Sequence, residues 1–278
     1  MKNISFGQYY PAESIIHKLD PRTKVLIVIL YIVASFVCET VLSFVWLVLS
    51  GMIIVLLSEI PIKTVLRSVK PILVIIVFMS LLNLFMNKNG EYVGGVWVFQ
   101  IYSGGIYAAA SSVIRVVALI IGTSIFLTYT TTPISLTDGI EQLLGPLKKI
   151  KVPVHEFAMM MTIALRFIPT LVEETDKIIA AQKARGADFS SGNLIKRAKA
   201  LIPILVPLFI SAFRRADELA TAMECRCYRG GEGRTKLHVL KYRARDFILL
   251  SLFVLFLASI ILINQQGIDF SFVGDNWF

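Results

Sequence analysis

The stretch VLSFVWLVLSGMIIVLL, residues 41–57, carries no charged side chain. A hydrocarbon core of roughly 30 Å asks for about 20 mostly apolar helical residues, so this run reads as a membrane-spanning helix. Around it lie four more predominantly apolar runs, at 25–37, 72–86, 106–129 and 247–263. The run at 25–37 is short and spans only if flanking residues such as Lys24 snorkel outward. Composition points the same way: 56% hydrophobic and 17% charged residues, with a mean hydropathy of +0.72, lie outside the usual range of soluble domains. The expected fold is an all-α integral membrane protein with about five transmembrane helices.

Charge placement orients the chain, because Lys and Arg near membrane segments are retained on the cytoplasmic side. Lys2, Lys18, Arg22 and Lys24 precede the first span, and Lys63, Arg67 and Lys70 lie between the second and third. The connection at Glu39 and Thr40 has no basic residue, that at 87–104 has only Lys88, and the tail after Ile263 has none. The chain is expected to start in the cytoplasm, return there at Thr130 and end outside. It divides into a cytoplasmic segment at 1–24, transmembrane helices one to four at 25–130, a cytoplasmic region at 131–245, and a last span with an external tail at 246–278. The region 131–245 holds 19 Lys and Arg against 11 Asp and Glu, and so eight of the nine net positive charges. Positive-inside topology and contact with acidic headgroups account for this excess. No aromatic-interleaved basic strand or recognition-helix pattern argues for nucleic acid.

The first 20 residues lack the apolar core of a cleavable signal peptide, so the start is expected to be kept. Cys38, Cys225 and Cys227 cannot form a disulfide framework. Cys225 and Cys227 also make a poor metal site, since a closed zinc site wants four ligands and His238 has no partner histidine or cysteine nearby.

Three helices are expected in the cytoplasmic region. Pro133, Ser135 and Asp138 start a short one that stops near Gly145 and Pro146. A second has Pro153 in its first turn and runs to Gly186, a natural left-handed cap. A third runs from about Leu194, past Pro203 and Pro207, to Cys227, with Gly230 and Gly231 closing it. The second and third align at a constant offset: Asp176 with Asp217, Ala181 with Ala222, Arg185 with Arg226. Each arginine projects from the negative end of a helix dipole, where a cation is favoured. Ala184 and Gly186 around Arg185, and Cys225 and Cys227 around Arg226, leave little bulk beside the guanidinium. An arginine fork suits a carboxylate or a row of carbonyls. Either these are ordinary helix ends, or they dock onto a pair of similar partners.

The N-terminal FGQYYPAESIIHKLDPRTK, the ARG at Ala184 to Gly186 and the AMECRCYRGG at Ala222 to Gly231 together resemble the transmembrane T component of energy-coupling factor transporters. The resemblance covers essentially the whole chain. It implies a non-catalytic subunit whose long amphipathic cytoplasmic coupling helices join two ABC-type ATPases to a small substrate-binding membrane subunit, for uptake of vitamins or metal ions. Arg185 and Arg226 would sit in grooves on the ATPases. ATP and magnesium would bind in those partners and no cofactor in this chain, which lacks a GxxxxGK[ST] loop. The cysteines flanking Arg226 depart from the more usual alanine or glycine. Cysteine is small enough to keep the geometry.

The resemblance also gives LIPILVPLFISAF, residues 201–213, a meaning. It is apolar but short and holds two prolines, so it makes a poor span. It either packs on the second helix or, through Leu201, Ile202, Leu205, Leu208 and Phe209, offers a platform to the substrate-binding subunit. Residues 157–171 are equally ambiguous, and their three consecutive methionines suit a surface that repacks. Arg115, inside the fourth span, is assigned an inter-helix or headgroup hydrogen-bonding role rather than solute contact. Glu173, Glu174, Asp176, Asp217 and Glu218 read as a solvated helix face, since the first three cannot all face one ion. Two alternatives remain: a permease with its own solute path, and a membrane-embedded transferase using that acidic cluster.

Overall fold

The structure is a computed structural model. It describes residues 9–90, 92–96, 99–187, 189, 193–230 and 239–266. The first eight residues, Gly231, His238 and the tail beyond 266 lie outside the described residues. Helices dominate: α1 (Pro21–Val37), α2 (Val41–Ser58), α3 (Ile62–Val69), α4 (Leu73–Met86), α5 (Ser103–Thr123), α6 (Pro133–Leu143), α7 (Val154–Ala184), α8 (Leu194–Cys225) and α9 (Ala244–Gln265). The chain divides into two compact units, one at 7–142 and 240–278, the other around 143–239. In the first unit α1 packs on α5 and α9, and α5 also packs on α2, α3 and α4.

Among the described residues four helical segments are long and apolar enough to cross a membrane: Val41–Ser58, Ile62–Met86, Ser103–Tyr129 and Ala244–Gln265. The fifth expected span, α1, has 17 residues, about 25 Å at 1.5 Å per residue. It is the helix whose own side chains are most hidden, with Ile27, Tyr31 and Ala34 fully buried.

The connection that carries Lys63, Arg67 and Lys70 is itself helical. Ile62, Val65, Leu66 and Val69 recur at helical spacing, so the chain is already helical at Ile62, with Val65 buried and the three basic residues exposed. Contrary to expectation, Lys24 does not snorkel. It is 1% exposed, and its Nζ donates to Thr130 O at 2.7 Å, Thr131 Oγ1 at 3.2 Å and His17 O at 3.4 Å. The two threonine acceptors stand just past a π-helical turn over Ser124–Tyr129, where α5 loosens before the chain leaves for α6.

A polar knot surrounds Lys24. Asp20 caps α1 by accepting from Arg22 N, binds the Arg22 guanidinium at 2.9 Å, and donates its own N–H to Asp246 of α9. Tyr10 N donates to Tyr129 O, and Tyr129 Oη donates to Thr64 O. The N-terminal segment thereby ties α1, α3, α5 and α9 together.

Deeper in the unit, close packing replaces hydrogen bonding. A Cβ at Gly122 would come within 2.4 Å of the Tyr31 ring, so a glycine is what lets α1 and α5 approach. Arg115 of α5 donates to Cys38 O at 2.8 Å, beyond the C-terminus of α1. There it satisfies an orphan carbonyl and the helix dipole together, which is the expected inter-helix role. Between α4 and α5 the expected plain connection holds a two-stranded antiparallel hairpin, Tyr92–Val96 with Phe99–Tyr102, registered Tyr92 to Tyr102 and Val96 to Phe99.

Candidate docking site

The second unit centres on α7 and α8, of 31 and 32 residues. Proline interrupts the ladder in both, at Pro169 in α7 and at Pro203 and Pro207 in α8, without ending either helix. The short helix before them, α6, gives way to a 3-10 turn over Gly145–Ile150, where Gly145 and Pro146 set the expected stop.

The two arginines occupy the same position in the same motif. At the end of α7, Ala187 N donates to Gln182 O and Gly186 N to Lys183 O, both at 3.0 Å. At the end of α8, Tyr228 N donates to Met223 O at 3.1 Å and Cys227 N to Glu224 O at 2.8 Å. Each pair is the crossed hydrogen-bond pattern of a Schellman cap, which satisfies two of the last four carbonyls of each helix. Its left-handed residue is Gly186 in α7, at φ 87°, and Cys227 in α8, at φ 54°. The expected closure of α8 by Gly230 and Gly231 is corrected accordingly: the turn is made three residues before Gly230. Ala184, Arg185, Gly186, Cys225, Arg226 and Cys227 are all exposed, and both cysteines are free thiols.

Four of the five apolar platform residues, Leu201, Ile202, Leu205 and Phe209, are exposed, and Leu208 is half-buried. None of them lines the groove between α7 and α8, where Ile163, Phe167 and Leu171 on one side meet Ala212, Arg215, Ala216, Leu219, Ala220 and Met223 on the other. Packing on the second helix therefore does not consume this face. Phe157, Met160 and Met161 of α7 are exposed as well.

One contact between α7 and α8 is not among the sequence expectations. Glu174, placed there on a solvated face, joins α7 to α8: Oε1 accepts from Ser211 Oγ at 2.5 Å and Oε2 from Arg215 Nη2 at 2.9 Å. These hydrogen bonds hold its carboxyl below the usual range against a smaller opposing effect of desolvation. The signal was present, because the offset of 41 that aligns the tips sets Glu173 and Glu174 against Arg214 and Arg215. Among the described residues no group of three His, Cys, Asp or Glu side chains is placed to hold a metal ion.

A multi-pass membrane unit joined to a pair of long arginine-tipped helices defines a class of transport subunit. The CbiQ family profile, described as cobalt transport protein, matches residues 12–237. The chain is 54% identical over 264 residues to the energy-coupling factor transporter transmembrane protein EcfT of Ruminiclostridium cellulolyticum, covering 95% of this chain and 98% of that one. It is 48% identical over 256 residues to the protein of the same name from Bacillus subtilis, covering 92% and 96%. The chain belongs to the family of energy-coupling factor transporter transmembrane components.

Proposed function

We propose that the chain transmits the motion of two cytoplasmic ABC-type ATPases to a small substrate-binding membrane subunit, in the uptake of vitamins or metal ions. The ATPases would bind ATP and magnesium, and this chain would catalyse nothing. The N-terminus and both coupling helices would face the cytoplasm. The observation that carries the reading is the pair of matched caps, each presenting an exposed arginine with only small residues beside it. ATP binding would move the ATPases relative to each other, α7 and α8 would follow as rigid bodies, and the platform of exposed Leu201, Ile202, Leu205 and Phe209 with half-buried Leu208 would reorient the substrate-binding subunit.

The native thiols give a direct assay. Cys225 and Cys227 should react with a maleimide in the isolated chain and be shielded when ATPases are bound. Removing one partner of a buried charge-assisted contact costs about 2–5 kcal/mol. Arg185→Ala or Arg226→Ala should therefore loosen the ATPases, and the double change should nearly abolish co-purification. Lysine at either site should rescue only in part, because it lacks the planar fork. Survival of both co-purification and transport in the double variant would reduce the tips to plain helix ends. Leu205→Glu with Leu208→Glu should release the substrate-binding subunit and leave the ATPases attached.

A further inference from the structure

The offset of 41 residues that relates Arg185 to Arg226 also relates Glu174 to Arg215, and those two side chains bind each other at 2.9 Å. A residue that touches its own repeat equivalent lies on the axis relating the two repeats. Leu171 and Ala212 are another equivalent pair, and both line the same groove. The groove lies before Glu174 on α7 and after Ser211 on α8, so the helices pass each other in opposite directions. Each arm then runs 11 residues from the axis to its arginine, about 16 Å of helix. With helix axes 8–10 Å apart at a contact, the two tips fall roughly 25–35 Å from each other.

An exact repeat would set like charges together on that axis. This sequence reverses them: Glu174 meets Arg215, and both carboxylate oxygens of Glu174 are held from α8. The apolar contact beside the pair is loose by comparison. Ala212, Ala216 and Ala220 face Phe167 and Leu171 across a groove of about 230 Å³, so interdigitation alone does not fix the crossing angle.

We propose that Glu174, clasped by Arg215 and Ser211, is a positioning residue that sets the angle between the coupling helices and hence the spacing of the two arginine tips. Its consequence for transport rests on the docking function proposed above. The geometry belongs to this chain alone.

Spin labels at Lys183→Cys and Glu224→Cys, in a chain carrying Cys225→Ala and Cys227→Gly, read the tip spacing by pulsed dipolar spectroscopy. The unaltered clasp should give one narrow distribution centred at roughly 25–35 Å. Glu174→Gln and Arg215→Gln should each broaden it, Ser211→Ala less so, and the exchange Glu174→Arg with Arg215→Glu should narrow it again. A half-exposed ion pair contributes little to stability, so these chains stay folded. In the assembled transporter Glu174→Gln should leave ATPase co-purification intact and lower transport per ATP hydrolysed severalfold, with recovery on exchange. An unchanged distribution in both glutamine variants, a failure of the exchange to narrow it, or unchanged transport per ATP would overturn the proposal. Should the ATPases fail to bind even the unaltered chain, the docking function falls while the distance result still decides the clasp.

Discussion

Cys227 does at the end of α8 what Gly186 does at the end of α7, and it does so at a cost. An L-residue held in the left-handed region is destabilised by roughly 1–2 kcal/mol, which glycine escapes. Cys227→Gly should raise stability by about 1 kcal/mol in detergent thermal unfolding and leave Arg226 exposed. Cys227→Val should lower it, because a β-branched side chain tolerates that backbone least. Gly122 poses the opposite problem, of space rather than conformation. Gly122→Ala drives a methyl into the Tyr31 ring and should lower stability by about 1–3 kcal/mol, read by the same assay. Asp20 adds a pH dependence. Burial pushes its carboxyl up, but the hydrogen bonds and charge of Arg22 outweigh that and hold it below the usual range. A depressed carboxyl stabilises the fold above its unfolded pKa of about 4 and loses that contribution as pH falls through the lower folded value. Unfolding midpoints should therefore drop on acidification below about pH 4, and Asp20→Asn should flatten the drop.

Most helices were legible from period and punctuation alone. Pro133, Gly145, Pro146 and Gly186 act through their own backbone, so their effect needs no partner. The helix at Ile62 is not legible from charge placement, because three basic residues in nine mark only the side of the membrane, whereas an amphipathic helix shelters Val65 and wets its basic residues. Lys24 is misread from sequence alone. Snorkelling is the usual answer for a lysine at a membrane boundary, but here acceptors arrive from Thr130 and Thr131, more than a hundred residues away in the chain. Lys24→Met keeps the bulk and strands those acceptors. It should cost about 2–3 kcal/mol and raise protease sensitivity between α5 and α6.

For the molecule as a whole, hydropathy and Lys/Arg asymmetry predict an orientation that labelling can decide. An impermeant maleimide should reach Asn89→Cys on intact cells, and should reach native Cys225 and Cys227 only after lysis and removal of the bound ATPases. Labelling of the native pair from outside would reverse the orientation and remove the basis for docking cytoplasmic ATPases.

By itself the sequence determined the class of solvent this chain folds in, the number and order of its long helices to within one, and the two arginine tips. Each of these follows from properties local in the chain: apolar run length, helical period, proline and glycine, and motifs a few residues long. Tertiary structure decided which polar groups are buried together. The burial of Lys24 against Thr130, the seating of Arg115 on Cys38 O, and the clasp of Glu174 with Ser211 and Arg215 each join residues from separate elements. A carboxylate on a helix face has the same local signature whether water or an arginine answers it, and only the packing of α7 across α8 chooses between them.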